Sequence, residues 1–269
     1  LNEFHIVVLG GLVPDPLQTL EPVGSPSGWA LKNEAMLPAI LDPWAACALY
    51  EAAALAKANA GSKVWLATAA PKAKLQQVMM ALAQKAPFEL VPVDMPAGGF
   101  TDAAGCAAAL AEAVAAIPGL DQAKLLLFGG WESASRGAGA TLAMVGERLG
   151  LQEQFQGVDA VKLSSDGSLE VLERVEGGQH QVSLLRGAPA VFGWATGGLP
   201  EPPNNPQVGM ANMRTLMPAL QKAKVTPLEA NSLAFAEVAV PSQKRETRVV
   251  KDLSPAQIAQ ELAAWIKAS

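Results

Sequence analysis

Two histidines, two cysteines and a single tyrosine among 269 residues leave little side-chain chemistry to work with. No H-E-x-x-H segment, cysteine cluster or G-x-S-x-G turn occurs, so metal-assisted hydrolysis and serine-type acyl transfer have no candidates and no metal site is expected. His5 falls in an apolar run and reads as a core or edge residue, while His180 follows a Gly-Gly turn and reads as solvated. Cys47 and Cys106 lie in alanine-rich helical patterns and read as small buried residues, not as a disulfide. Charge is scarce too. Only 17% of residues are Asp, Glu, Lys or Arg, the net charge is −5, and no basic stripe with interleaved aromatics appears, which argues against nucleic acid as a partner. No apolar run reaches the roughly 20 residues of a membrane span, and no charged leader precedes the first strand pattern. A reducing compartment is expected, a bacterial cytoplasm.

What is abundant is alanine and aliphatic surface: 50% of residues are hydrophobic and the mean hydropathy is +0.21. Surplus apolar surface points to a partner that covers it. Phe4 to Leu9 is a β-rich run ending in Gly10-Gly11, and the Pro-, Gly- and Ser-rich stretch to about Ala39 reads as a long irregular excursion. Asp42-Pro43 then starts a helix, an acceptor cap followed by proline at the first helical position. Strands are expected at Lys63 to Thr68, Phe88 to Val93 and Leu125 to Phe128. Helices follow Pro71 and Thr101-Asp102, and Leu142, Val145 and Leu149 fall at helical spacing. Alternating strands and helices over the first 150 residues predict an α/β fold with a doubly wound, mostly parallel, Rossmann-like sheet. Ligands of such sheets lie beyond the carboxyl ends of the strands where strand order reverses, so the turns after Leu9, Thr68 and Phe128 and the cap at Asp42 are expected to meet in one crevice.

After residue 150 the pattern changes. Val161 to Ser164, Leu169 to Arg174, Gln181 to Leu185 and Ala190 to Trp194 read as an antiparallel meander, and Gly197 to Asn212 as loop. Ser254, Pro255 and Gln257 start a last helix whose face carries Ile258, Leu262, Trp265 and Ile266. Three regions are expected: 1–195, the nucleotide-binding fold with the strand extension; 196–233, a partner-recognition loop region; and 234–269, an arm and helix docking on a partner.

The stretch from Leu125 to Gly150 organises the rest. A buried strand stops at Gly129-Gly130, passes through Trp131-Glu132-Ser133-Ala134-Ser135-Arg136-Gly137-Ala138-Gly139 and enters a helix. Small residues at a helix N-terminus let backbone N–H groups approach an anion. A nucleotide phosphate seat and an ordinary Gly-rich strand-to-helix turn both fit. Gly137-Ala138-Gly139-Ala140-Thr141-Leu142 has only the first two glycines of G-x-G-x-x-G, and no lysine completes a Walker loop.

Taken in order, several segments resemble the beta (small) subunit of electron transfer flavoproteins along nearly the whole chain. Val13-Pro14-Asp15 matches the family's Val-Pro-Asp after its first strand, and Leu41-Asp42-Pro43 its first helix start. Gly146-Glu147-Arg148-Leu149-Gly150-Leu151 is close to the family's Ala-Glu-Leu-Leu-Gly-Leu. Arg174-Val175-Glu176-Gly177-Gly178 and Pro189-Ala190-Val191 match its Arg-Glu-Val-Asp-Gly-Gly and Pro-Ala-Val segments. Leu216-Met217-Pro218-Ala219-Leu220-Gln221-Lys222-Ala223-Lys224 looks like its Ser-Leu-Pro-Gly-Ile-Met-Lys-Ala-Lys.

The resemblance implies an electron carrier without catalysis of its own. It implies a heterodimer with an alpha subunit that holds most of a redox-active FAD, and AMP (a second FAD in some members) in this subunit's crevice. Electrons would come from a flavin-dependent dehydrogenase and leave to a quinone oxidoreductase or similar acceptor. Carried over by position, the nucleotide contacts are Leu9, Asp42, Pro43, Trp44, Ala45 and Ala69, with Gly129, Gly130, Ser133, Ser135, Arg136, Gly137, Ala138, Gly139, Ala140 and Thr141 around the phosphate. The loop that docks on dehydrogenases falls on Leu216, Met217, Pro218 and Ala219. The family's Asp-Gly-Asp in the phosphate loop is replaced by Ala134-Ser135-Arg136, which leaves backbone amides and Arg136 to hold a phosphate. The alternative of another class is a stand-alone adenine-nucleotide-binding regulatory module.

Overall fold

Short apolar runs bounded by glycine become strands here, and alanine-rich stretches with a cap become helices. The computed structural model describes residues 3–25, 28–98, 101–135, 137–227, 239 and 249–268. In chain order its elements are β1 (His5–Leu9), β2 (Leu12–Pro14), β3 (Pro22–Ser25), β4 (Gly28–Leu31), β5 (Ala39–Leu41), α1 (Pro43–Ala58), β6 (Lys63–Ala70), α2 (Lys72–Leu82), β7 (Glu89–Asp94) and α3 (Ala103–Ala115). There follow β8 (Leu125–Gly130), α4 (Ala140–Arg148), β9 (Gln154–Leu163), β10 (Leu169–Val175), β11 (Gln179–Leu185), β12 (Ala190–Trp194), α5 (Pro206–Lys222) and α6 (Pro255–Ala268). Contacts divide the chain into two units, Leu1–Phe235 and Ala236–Ser269.

The first unit is built on an eight-stranded sheet in the order β11-β10-β9-β12-β8-β1-β6-β7. Strands β12, β8, β1, β6 and β7 run parallel, with Leu9 level with Ala67 on one side and Gly129 on the other. β1 is buried along its whole length, as a parallel strand covered on both faces must be. Leu49, Leu75, Met79, Leu216 and Leu220 of α1, α2 and α5 pack with Ile6 and Val8 on one face. Leu110, Val114, Leu142 and Val145 of α3 and α4 pack with Val7 and Leu127 on the other. Strand order reverses at β1, whose neighbours β6 and β8 are reached by opposite turns of the chain. The fold is therefore the expected doubly wound α/β sheet.

Three local expectations differ. The excursion between β1 and α1 is ordered: β2 pairs with β5, and β3 with β4, both antiparallel. Neither ladder has a buried face along its length, so no period-2 apolar pattern announced it. The meander has three antiparallel strands, β9, β10 and β11, and β9 starts at Gln154. Ala190-Val191-Phe192-Gly193-Trp194 is not its fourth strand. It inserts between β8 and β9, parallel to both, as its uninterrupted apolar run on two buried faces requires. Finally, Pro206 to Asn212 is helix, not loop. Asn205 accepts hydrogen bonds from the N–H groups of Gln207 (3.0 Å) and Val208 (3.4 Å), with proline at the first helical position.

That helix overturns the reading of 216–219 as a loop. Leu216 is 1% exposed, and Met217 and Ala219 pack partly buried against the core, leaving Pro218 on the outside. Asp102 occupies the cap position of α3 without a capping hydrogen bond; Thr101 Oγ1 instead accepts from Gly98 N at 2.8 Å. His5 is buried, its Nδ1 accepting from Asp121 N at 2.8 Å. In the second unit, α6 has its capping box: Ser254 N donates to Gln257 Oε1 at 2.9 Å, and Ile258, Leu262, Trp265 and Ile266 are exposed. Most of the expected arm before α6, 234–238 and 240–248, and the end of the expected recognition region, 228–233, lie outside the described residues.

Candidate functional site

At the carboxyl ends of β1, β6 and β8 the chain leaves a crevice of about 850 Å³, including its open mouth. It opens where strand order reverses, the place in such a sheet where turns on both sides of one strand diverge and no helix can fill the gap. Leu9 and Gly10 to Val13 line it from β1, Ala69 from β6, and Gly129, Gly130, Glu132, Ser133, Ser135, Ala138, Gly139 and Thr141 from β8 and its loop; Asp42 and Ala45 come from the start of α1. Ala97, Gly98, Cys106 and Leu110 close it from the turn after β7 and from α3.

Of the residues expected in a nucleotide site, Leu9, Asp42, Ala45, Ala69, Gly129, Gly130, Ser133, Ser135, Ala138, Gly139 and Thr141 share this wall. Pro43, Trp44, Gly137 and Ala140 do not line it, and Arg136 lies outside the described residues. Trp44 instead packs behind the wall: a Cβ on Gly130 would come within 2.6 Å of the Trp44 Cβ. The contribution of Ala97, Gly98, Cys106 and Leu110 was not anticipated, because the turn after β7 was not assigned to the crevice. The run Met95-Pro96-Ala97-Gly98 directly after a strand was the signal for it.

Asp42 organises the site from below. Its carboxylate caps α1 by accepting from Trp44 N (3.2 Å), as the sequence implies. The same group also accepts from Ser133 Oγ and Ala134 N, each at 2.9 Å, on the loop after β8. Ser133 Oγ continues the chain of bonds to Ser135 Oγ at 2.8 Å, and Gly137 N donates to Ser133 O at 2.7 Å. Asp42 is 4% exposed, and burial raises its pKa above the ordinary value; the bonds from Ala134, Ser133, Trp44 and Ala45 oppose that rise without cancelling it. The carboxylate thus ties the start of α1 to the loop after β8 at the edge of the crevice.

Gly139 is fixed by a different constraint. A Cβ there would overlap the Trp131 carbonyl, so only glycine lets α4 begin this close to the end of β8. No side chain caps α4 at Gly139, and Gly139, Thr141 and Leu142 at its start line the crevice.

The wall is about half glycine and alanine, with three hydroxyls (Ser133, Ser135, Thr141) and no His, Lys or Arg among the described residues. Such a surface suits a flat ring held by van der Waals contact and an anion held by backbone N–H groups. The residues present therefore fit an adenosine monophosphate in donor type. Two carboxyl groups, Asp42 and Glu132, also belong to the wall, and no group of His, Cys, Asp and Glu among the described residues could hold a metal ion. No helix among the described residues is long and apolar enough to cross a membrane.

No curated protein matches this sequence. A family model described as the electron transfer flavoprotein domain matches residues 33–229, which include the crevice lining from Asp42 onward, all strands of the main sheet except β1, and α1 to α5. With that match over most of its length and the doubly wound sheet it describes, the chain belongs to the electron transfer flavoprotein domain family.

Proposed function

We propose that this chain is the beta (small) subunit of a heterodimeric electron transfer flavoprotein and that its crevice holds AMP as a structural ligand. The observation that carries the proposal is the Asp42 clasp. A glycine-rich loop belonging to a family of flavin-associated electron carriers is held over a switch-point crevice walled largely by glycine, alanine and hydroxyl side chains. FAD, held mainly by the alpha subunit, supplies the redox chemistry when bound. The residues of this chain bind and orient: Leu9, Ala45 and Ala69 border the adenosine, and Ala138, Gly139 and Thr141 border the phosphate. Electron transfer needs close approach and not proton abstraction, so this chain's part is to bind and to position. A flavin-dependent dehydrogenase is the donor and a quinone oxidoreductase the acceptor in this reading.

Partner docking is assigned to the outer side of α5, where Pro218 is exposed beside the half-buried Met217 and Ala219, and not to Leu216. Pro218→Glu is expected to slow reduction by the dehydrogenase while leaving the heterodimer intact. Unchanged kinetics would remove α5 from the docking surface.

The reading is tested by coexpressing the chain with a flavin-binding alpha subunit and sedimenting the mixture while following flavin absorbance. One FAD and one AMP per heterodimer are expected. Flavin that sediments without this chain would refute the assignment, and two FAD with no AMP would replace AMP by a second FAD in the crevice.

A further inference from the structure

A serine hydroxyl has one hydrogen to give, and on the loop after β8 both such hydrogens are already committed. Asp42 fixes the first. It accepts from Trp44 N and Ala45 N at the start of α1, and from Ser133 Oγ and Ala134 N on the loop. Oδ2 alone takes the last two, each at 2.9 Å. An acid proton on either oxygen would face one of these donors, so the group they surround is the carboxylate, which can only accept.

Ser133 has therefore given its hydrogen to Asp42. Its oxygen keeps two lone pairs, and both are taken, by Ser135 N at 3.2 Å and by the Ser135 hydroxyl at 2.8 Å. The second hydrogen is thus fixed as well: Ser135 donates to Ser133, and not the reverse. Ser135 lines the crevice and is exposed, and its oxygen is left with lone pairs and no hydrogen to offer. Glu132, on the same loop, adds a carboxyl group to this wall, and no Lys, Arg or His among the described residues lines it. The oxygens of a phosphate are acceptors too and find no partner on this stretch.

From this chain of hydrogen bonds we infer that Ser135 is a specificity-determining residue: its oxygen accepts a hydrogen bond from a ribose hydroxyl of the bound nucleotide, and Asp42 sets that polarity through Ser133. The inference rests on the nucleotide reading of the crevice. Within that reading Leu9, Ala45 and Ala69 border the adenosine and Ala138, Gly139 and Thr141 the phosphate. Ser135 stands on the loop leading into the phosphate border, and the ribose is the part of the ligand joined to the phosphate, so a ribose hydroxyl is the donor assigned to it. Asp42 acts through Ser133 and is a positioning residue.

The test is displacement of radiolabelled AMP from the full complex by AMP analogues altered at one ribose hydroxyl or the other. At one of the two positions, hydrogen or fluorine, which cannot donate, should weaken binding about fivefold, the loss of one hydrogen bond. An amino group there, which can donate, should restore it. Ser135→Ala should bind AMP about fivefold more weakly and lose the distinction among these analogues. Asp42→Asn keeps the shape of the carboxylate but can donate to Ser133, which turns the hydroxyls around, so the preference for amino over fluorine should fall. Three results would overturn the inference: amino and fluoro analogues that bind alike at both positions, an order of analogues unchanged in Ser135→Ala, or a Ser135→Ala loss matched instead by removing the adenine amino group. An undiminished preference in Asp42→Asn would overturn the part given to Asp42. AMP that does not bind the complex at all would remove the nucleotide reading and this inference with it, whereas AMP bound with any of the other results removes the inference alone.

Discussion

β8 and β11 belong to one sheet and meet different physical demands. β8 lies among parallel neighbours with helices on both faces and is buried from Leu125 to Gly129. β11 is an edge strand with most of its side chains in solvent, Leu184 being 77% exposed. The parallel region is held by apolar burial, including the Phe128, Phe192 and Trp194 rings at centroid separations of 5.3 to 5.5 Å. The antiparallel extension is held by its ladder and by a polar cluster. In it Asp159 receives Arg174 at 2.7 and 3.1 Å and lies 2.9 Å from His180 Nε2, while Arg174 also reaches Thr196 Oγ1 at 2.9 Å. A crevice requires walls that do not move, and it is found in the region that burial holds. The extension presents surface instead.

The comparison breaks most visibly under truncation. Phe128→Ala is expected to cost about 3–5 kcal/mol, read as a lower denaturant midpoint at unchanged slope, because the void lies among rings that cannot collapse into it. Leu184→Ala on β11 should stay within about 0.5 kcal/mol. Equal losses at the two sites would mean that the extension is buried against something in the molecule as tested.

Asp42→Ala removes a helix cap and the clasp on the loop after β8. A loss of about 1–2 kcal/mol is expected, together with faster hydrogen exchange at Ser133 to Gly137. Exchange unchanged in that loop would show that Asp42 does no more than cap α1.

The smallest effect separates the two regions by sign. Burial raises the pKa of Asp42. For Asp159, burial is outweighed by the hydrogen bonds of Arg174 and His180, and the group is held below the ordinary aspartate value of about 3.9. A depressed pKa means that Asp159 contributes stability above the unfolded value and loses it as pH falls through the folded one. A raised pKa means the reverse for Asp42: its ionisation costs stability, and that cost develops as pH rises from the unfolded value through the folded one. Carboxyl NMR titration should therefore place the Asp42 midpoint above that ordinary value and the Asp159 midpoint below it. Both on one side would contradict the contrast.

How much of this could be read from the residues follows the same division. Leu125 to Phe128, Phe4 to Leu9 and the Asp42-Pro43 start are local signals, and the structure repeats them within a residue or two. The crevice was legible from topology, because the switch-point rule needs only strand order. The second half of Asp42's role was not: Ser133 and Ala134 are 91 and 92 residues away, and nothing local marks a contact at that separation. β12 was misplaced because its neighbours in sequence are antiparallel strands, although its apolar run already had the character of a central parallel strand. The Asn205-Pro206 start of α5 repeats the chemistry of Asp42-Pro43 and was obscured by the prolines and glycines before it.

We propose that this chain serves as the nucleotide-holding, partner-clamping half of an electron carrier. The most direct measurement is mass spectrometry of the complex purified from its native host without stripping, for both protein and released nucleotide. The account predicts a yellow complex with a second, flavin-binding subunit and AMP. A colourless single chain carrying only adenine nucleotide would contradict it.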